Sequence, residues 1–195
     1  NYESVFQAFV RINTSGLDLS SQDIVLSLLT YRWARENDVN AKDKIRSLTD
    51  KINQNTSFNF DTNDVVKAIS SIMHGRPRAN IDVYEESDLD YLEKNWSDIA
   101  DSVYETIENV DKIGLKSDSN IKKNSMYPLY IYNYYTDNDF DKEEHSRWHF
   151  LVCNFSITDE FTSLKNKITS EVYNVIVKHS SKAPESSKFD GEKDN

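Results

Sequence analysis

Apolar residues return at three- and four-residue steps along most of the chain, and strict alternation is rare. That spacing places them on one face of a helix. Tyr2, Val5, Phe6, Phe9 and Val10 begin the rhythm, so a first helix is expected from Glu3 to Ile12, ending near Gly16. Glycine is free to take positive φ past a helix end. Ser20 can cap a second helix, with Asp23 as a short-armed capping-box partner and Leu19 and Ile24 spaced for a hydrophobic staple. Its inward stripe is expected at Ile24, Leu28, Tyr31 and the stem of Arg35.

A polar link from Asn37 to Asn40 precedes a helix bearing Ile45, Leu48 and Ile52. "NQNTSFNF" reads as a loop anchored by Phe58 and Phe60. Asp61 or Thr62 opens a helix carrying Val65, Val66, Ile69, Ile72 and Met73, closed by Gly75 and Pro77. Then Leu89, Leu92, Trp96, Ile99, Val103, Ile107 and Val110 form one seam. The spacing predicts a single continuous helix of about six turns. Gly114 followed by apolar Leu115 predicts a Schellman cap.

"SMYPLYIYNYY" has the aromatic content of a strand, but Pro128 near its front suits a first helical turn. Met126, Leu129, Ile131 and Tyr132 are expected against neighbouring helices. Two more helices are expected, near His145 to Phe155 and Phe161 to Lys178, the second with Phe161, Leu164, Ile168, Val172 and Val175 inward. From Ser180 onward almost nothing is apolar, which predicts a loose polar tail over 180–195. The sum is an all-α chain, an irregular bundle of about seven to eight helices in one domain over 1–179. It lacks an initiator Met and starts within a helical rhythm, so it is expected to be a fragment of a larger protein.

Composition sharpens this picture at a few points. Only 4 Gly and 3 Pro occur among 195 residues, which favours long helices over a many-turned sandwich. A net charge of −10 opposes a general DNA-binding face while leaving room for a small basic site. The single cysteine, Cys153, excludes an internal disulfide framework and fits a reducing, cytoplasmic setting. No apolar run reaches membrane-spanning length, so no membrane partner is expected.

Three clusters invite a chemical reading. His145, His149 and Cys153 fall at i, i+4 and i+8, a face that could present zinc ligands. Cys153 beside Leu151 and Val152 has the surroundings of core, and no second ligand pair lies nearby, so no metal is assigned. Arg76 and Arg78 follow a helix end, with Lys67 a turn or two back. Their positive charge complements the helix dipole before it suggests a phosphate contact. The acidic loop from Asp137 to Glu144 lacks EF-hand ligand spacing and its turn glycine. Neither a nucleophile–base set, a Walker A loop nor a Gly-rich dinucleotide turn is present, so no catalytic residue is assigned and turnover by this chain alone is not expected.

"FVRINTSGLDLS", residues 9–20, is the remaining corner of interest. Arg11 offers a planar fork of donors suited to phosphate oxygens, and Asn13 can both donate and accept. Thr14, Ser15 and Gly16 present backbone N–H groups at a turn beside the positive end of the next helix. Ser20 and Asp23 compete for the same donors, and Asp23 repels an anion. From physics alone a structural corner is favoured over a ligand site.

The stretch "VFQAFVRINTSGLDLSSQDIVLSLL" resembles the signature F-x-R-I-N-x-x-G-x-x-L-S-x-x-(acidic)-(apolar) of the GmrSD-type proteins, the family first labelled domain of unknown function 262. Weaker likeness continues through the Trp96 helix, "MYPLYIYNYY" and "HSRWHFLVCNFS", so it spans most of the chain and is specific only over residues 5–29. The resemblance implies a modification-dependent restriction or phage-defence protein whose front part is a ParB/sulfiredoxin-like nucleotidase. Arg11, Asn13, Thr14 and Gly16 would border its nucleotide-binding pocket, with Leu17, Leu19 and Ser20 starting the helical part. The Asp-Gly-Gln-Gln-Arg motif of that nucleotidase is absent, and "FDGEK" near the end is misplaced and incomplete. No HNH-type nuclease histidine cluster follows.

On this reading the chain is the helical part of a nucleotide-dependent endonuclease and holds no cofactor itself. Nucleoside triphosphate and divalent metal belong to the parent protein. Its partners are the upstream nucleotidase-like domain and, through the parent, modified DNA, with homo-oligomerisation left open. The alternative is a helical protein-interaction module, presenting a Tyr-rich surface, with no nucleotide or DNA role.

Overall fold

The computed structural model describes residues 25–27, 29–30, 33, 40–77, 86–117, 122–136, 143, 147–148, 151–152 and 162–184. Among these residues the chain is all-α, with six α-helices, one short 3-10 turn and no strand. Helix α1 (Ala41–Asn55) begins where the Asn40 side chain accepts the Lys42 N–H at 3.0 Å. It buries Ala41, Ile45, Leu48, Thr49 and Ile52, the face its spacing predicts. The helix runs three residues into the expected loop. Asn53 then clamps Phe60 from both sides, its Nδ2 donating to the Phe60 carbonyl at 2.9 Å and its Oδ1 accepting the Phe60 N–H at 2.7 Å. Phe58 and Phe60 are buried, so the loop is anchored as expected.

Helix α2 (Thr62–His74) opens with a reciprocal capping box made by two aspartates. Asp61 accepts the Asp64 N–H at 2.8 Å, and Asp64 accepts the Asp61 N–H at 3.1 Å. All the expected apolar residues are buried, joined by Ala68, Ser70 and Ser71. Gly75 ends the helix in the left-handed region at φ 63°.

The long seam keeps its buried residues but not its single helix. Helices α3 (Glu86–Lys94) and α4 (Trp96–Lys112) are separated at Asn95. The Asn95 side chain donates to the Tyr91 carbonyl at 2.8 Å, beside its own backbone N–H at 3.0 Å, and competes for the ladder acceptor. Leu89, Leu92, Ile99, Val103, Ile107 and Val110 remain buried across the break. At the far end Leu115 N–H reaches the Val110 carbonyl and Gly114 N–H that of Asp111, which is the expected Schellman cap.

The 3-10 turn Lys123–Met126 leads into α5 (Tyr127–Tyr135), with Pro128 in its first turn. α5 is the centre of the bundle, packing on α2, α4 and α6 (Thr162–Val177). It is therefore buried nearly all round, with Tyr127, Tyr130, Tyr134 and Tyr135 inside as well as Leu129 and Ile131. Of these hydroxyls, those of Tyr130 and Tyr135 have partners within the bundle. Tyr130 donates to the Met126 sulfur at 3.6 Å and Tyr135 to the Ile72 carbonyl at 2.9 Å.

In α6 the inward residues are Thr169, Tyr173 and Val177, while Val172 is half-buried and Val175 is 63% exposed. Val172 still packs against the core, so the expected inward placement is corrected for Val175. Tyr173 takes the inward position because its hydroxyl donates to the Met73 carbonyl at 2.6 Å, satisfying a helix-end acceptor that valine could not. Residues 180–184, assigned to the tail by composition, also lie on the bundle, with Ala183 packed against the core and Pro184 buried. The first helix, residues 137–142 and 144 of the acidic loop, and residues 185–195 lie outside the described residues. No described helix is long and apolar enough to cross a membrane.

Candidate functional site

Arg11, Asn13, Thr14 and Gly16 lie outside the described residues, as do the Ser20 cap and Asp23. What the structure places is the segment that follows them. Val25, Leu29 and Trp33 are helical and almost fully buried, at 1%, 1% and 0% exposure. They stand at i, i+4 and i+8, the spacing of one helix face, and all three are in the core. The expected stripe at Ile24, Leu28, Tyr31 and Arg35 falls on residues whose side chains lie outside the description.

Trp33 ends this stripe at an aromatic node. Its ring meets Trp96 edge-on, with centroids 5.3 Å apart, and the Lys44 ammonium lies 5.1 Å from its centroid. Behind that node runs a mixed-charge groove of about 370 Å³ between α1 and α4, with Lys44, Lys51, Trp96 and Asp101 among its walls. Lys51 pairs with Asp101 at 3.5 Å across it and covers the Tyr104 ring at 4.0 Å. Asp43 and Asp101 line the groove alongside Lys44 and Lys51, so their charges balance and it offers no net positive field for a phosphate.

A larger concavity of about 480 Å³ lies between α5, the helical residues 147, 148 and 151, and α6. Leu129, Tyr132, Trp148, Leu151, Val172 and Val175 form its apolar surface, with Arg147 and Glu171 at its rim. Arg147 is held by Glu143 at 2.6 Å, one helical turn away. No single stretch of sequence announces this groove, because three separated segments build it. The signal available beforehand was Val175, an apolar residue on a helix already served by Tyr173 and Val177.

His74 and Asp111 serve the fold. His74 closes α2, and burial lowers its pKa; Asp88 opposes that shift and Arg76 adds to it. Burial alone would raise the Asp111 carboxyl. Hydrogen bonds from Lys116 and from Ser57 outweigh that and hold it below the usual range. Asp111 accepts both the Ser57 N–H at 3.0 Å and the Ser57 hydroxyl, which fixes the α1–α2 loop to the end of α4. Arg76 is exposed, and Arg78 lies outside the described residues, as do His145, His149 and Cys153. Among the described residues no group of three His, Cys, Asp or Glu side chains is placed to hold a metal ion.

The described residues thus form an all-α bundle with a buried aromatic centre and an open apolar groove. The chain matches no protein-family model and no curated protein.

Proposed function

We propose that this chain is the helical part of a GmrSD-like restriction or phage-defence protein, which completes a nucleotide pocket and relays its state to DNA recognition or cleavage. One observation carries the reading: Arg11, Asn13 and Gly16 stand at the spacing of the family signature, directly before the stretch that buries Val25, Leu29 and Trp33. Arg11 would hold phosphate oxygens with its planar fork, and Asn13 would orient the nucleotide by donating and accepting. A displacement at that corner would be carried by the anchored helix to Trp33 and so to α1 and α4. The catalytic centres, nucleoside triphosphate and metal would belong to the rest of the parent protein.

The test is nucleotide hydrolysis and phage restriction by the parent protein carrying Arg11→Ala or Asn13→Ala. Loss of both activities with the fold intact supports the reading. Unchanged activities would favour the alternative of a protein-interaction module. That alternative rests on the apolar groove and exposed Val175, since an open apolar patch on a soluble bundle is characteristic of binding surfaces.

A further inference from the structure

Helix α6 is apolar on two sides. Tyr173 and Val177 face the core, while Val175 between them is 63% exposed. Among the described residues no other large apolar side chain is exposed. Its half-buried neighbours Val172 and Ile176 line the apolar groove, so that surface continues from the groove over the outer edge of α6. Charge flanks this edge symmetrically. Glu171 stands four residues before Val175, and Lys178, in the turn that follows α6, stands three after it; both are exposed. At about 1.5 Å per residue the two charges lie roughly 6 Å and 4.5 Å from Val175, in opposite directions along the axis. At about 100° per residue both fall on one side of Val175, and Val172 and Ile176 fall on the other. Glu171 and Lys178 are two turns apart, beyond the three- and four-residue spacing of helical pairs. Among the described residues neither belongs to an ion pair.

We propose that this edge of α6 is a contact between two copies of the chain, packed antiparallel about Val175 with Glu171 of each copy opposite Lys178 of the other. The charge order selects that arrangement. A two-fold contact repeats every pairing, so an axis beside Val175 and across α6 joins acid to base twice. A parallel pair would set Glu171 against Glu171 and Lys178 against Lys178. The same axis keeps both grooves on one side of the helix pair and all four charges on the other. Val175 then leaves water against its counterpart, and the apolar surface of Val172 and Ile176 continues across the contact. A partner of another sequence would not require acid and base to be placed evenly about one valine. A single helix pair is smaller than a standard interface, so the dimer dissociates at roughly 10–1,000 µM. None of residues 9–20 takes part, and the proposal is independent of the nucleotide reading.

Sedimentation equilibrium of the full chain across that concentration range tests the contact. The mass should rise with concentration and stop at the dimer. Val175→Asp should weaken association by about tenfold or more, since it sets two carboxylates at the axis. Glu171→Lys and Lys178→Glu each place like charges opposite one another at both ends, and each should weaken it roughly three- to tenfold. All three positions are exposed, so thermal unfolding should stay at the wild-type midpoint. An equimolar mixture of Glu171→Lys and Lys178→Glu should recover the wild-type dimer, because every introduced charge then faces its opposite. Both variants stay net negative, starting from −10, so overall attraction does not account for recovery. A monomer throughout the range, growth past the dimer, indifference to Val175→Asp, or a mixture no better than either variant alone would overturn the proposal.

Discussion

Gly75 and Gly114 both end helices at positive φ, 63° and 85°, yet they differ in what surrounds them. A Cβ on Gly114 would meet nothing within 4 Å, whereas one on Gly75 would lie 2.6 Å from the Tyr173 Cβ and 2.7 Å from its Cγ. Tyr173 cannot retreat easily, because its hydroxyl is fixed on Met73 and its ring packs edge-on to Tyr135 with centroids 6.1 Å apart. Gly114→Ala should therefore carry only the left-handed backbone strain, about 1–2 kcal/mol. Gly75→Ala carries the same strain plus overpacking of about 1–3 kcal/mol, for a total of roughly 2–5 kcal/mol. Urea unfolding followed by circular dichroism and by tryptophan fluorescence measures both variants. The reasoning also requires coupling. In a Tyr173→Gly background, which removes the Cβ as well as the ring, the Gly75→Ala penalty should fall toward that of Gly114→Ala. Equal destabilisation by the two glycine variants, or additivity with Tyr173→Gly, would refute the close approach of α6 to the end of α2.

Other expectations follow from the same packing. Tyr173→Phe should lower stability by about 1–2 kcal/mol in urea titration, since the buried Met73 carbonyl loses its donor. Val175→Asp should stay within about 0.5 kcal/mol of wild type, while Val177→Ala, at a buried position, should lose about 1–3 kcal/mol. Denaturation of the pair thus distinguishes the two faces of α6. His74 has a folded-state pKa below 6.5, so the unfolded chain binds the proton more readily. Its contribution is fully present above pH 6.5 and is lost as pH falls through the folded value. His74→Gln should flatten the stability profile in that window. Asp111 is also depressed, so its contribution is lost at lower pH, below its ordinary value of 3.8, and Asp111→Asn should remove that acid limb.

Local chemistry made much of the fold legible in the sequence. Asp61, one of the two expected openers of α2, the Gly114–Leu115 pair and Pro128 each act within a turn or two, and each does what its spacing predicts. The break at Asn95 was hidden because apolar periodicity continues through it, and an asparagine side chain decides the backbone there. The face of α6 was misjudged for a related reason. Thr169 and Tyr173 count as polar in a pattern, yet their side chains are inward. Residues 180–184 were assigned to the tail because Lys, Ser, Ala and Pro carry little apolar signal, whereas one lysine and one tyrosine from another helix hold them. The apolar groove is a product of tertiary assembly and has no linear signature. For the corner at Arg11 and Asn13 the situation is reversed: its motif is local and legible, and the structure describes only the stretch that follows it.

The functional account depends on Arg11 contacting a nucleotide. Equilibrium titration of a nucleoside triphosphate into the parent protein, wild type against Arg11→Ala, tests it directly. Removing a charge-assisted contact of about 1.5–3 kcal/mol should weaken binding by roughly ten- to a hundredfold while thermal unfolding of the bundle stays unchanged. Identical affinity in the two proteins would contradict the account.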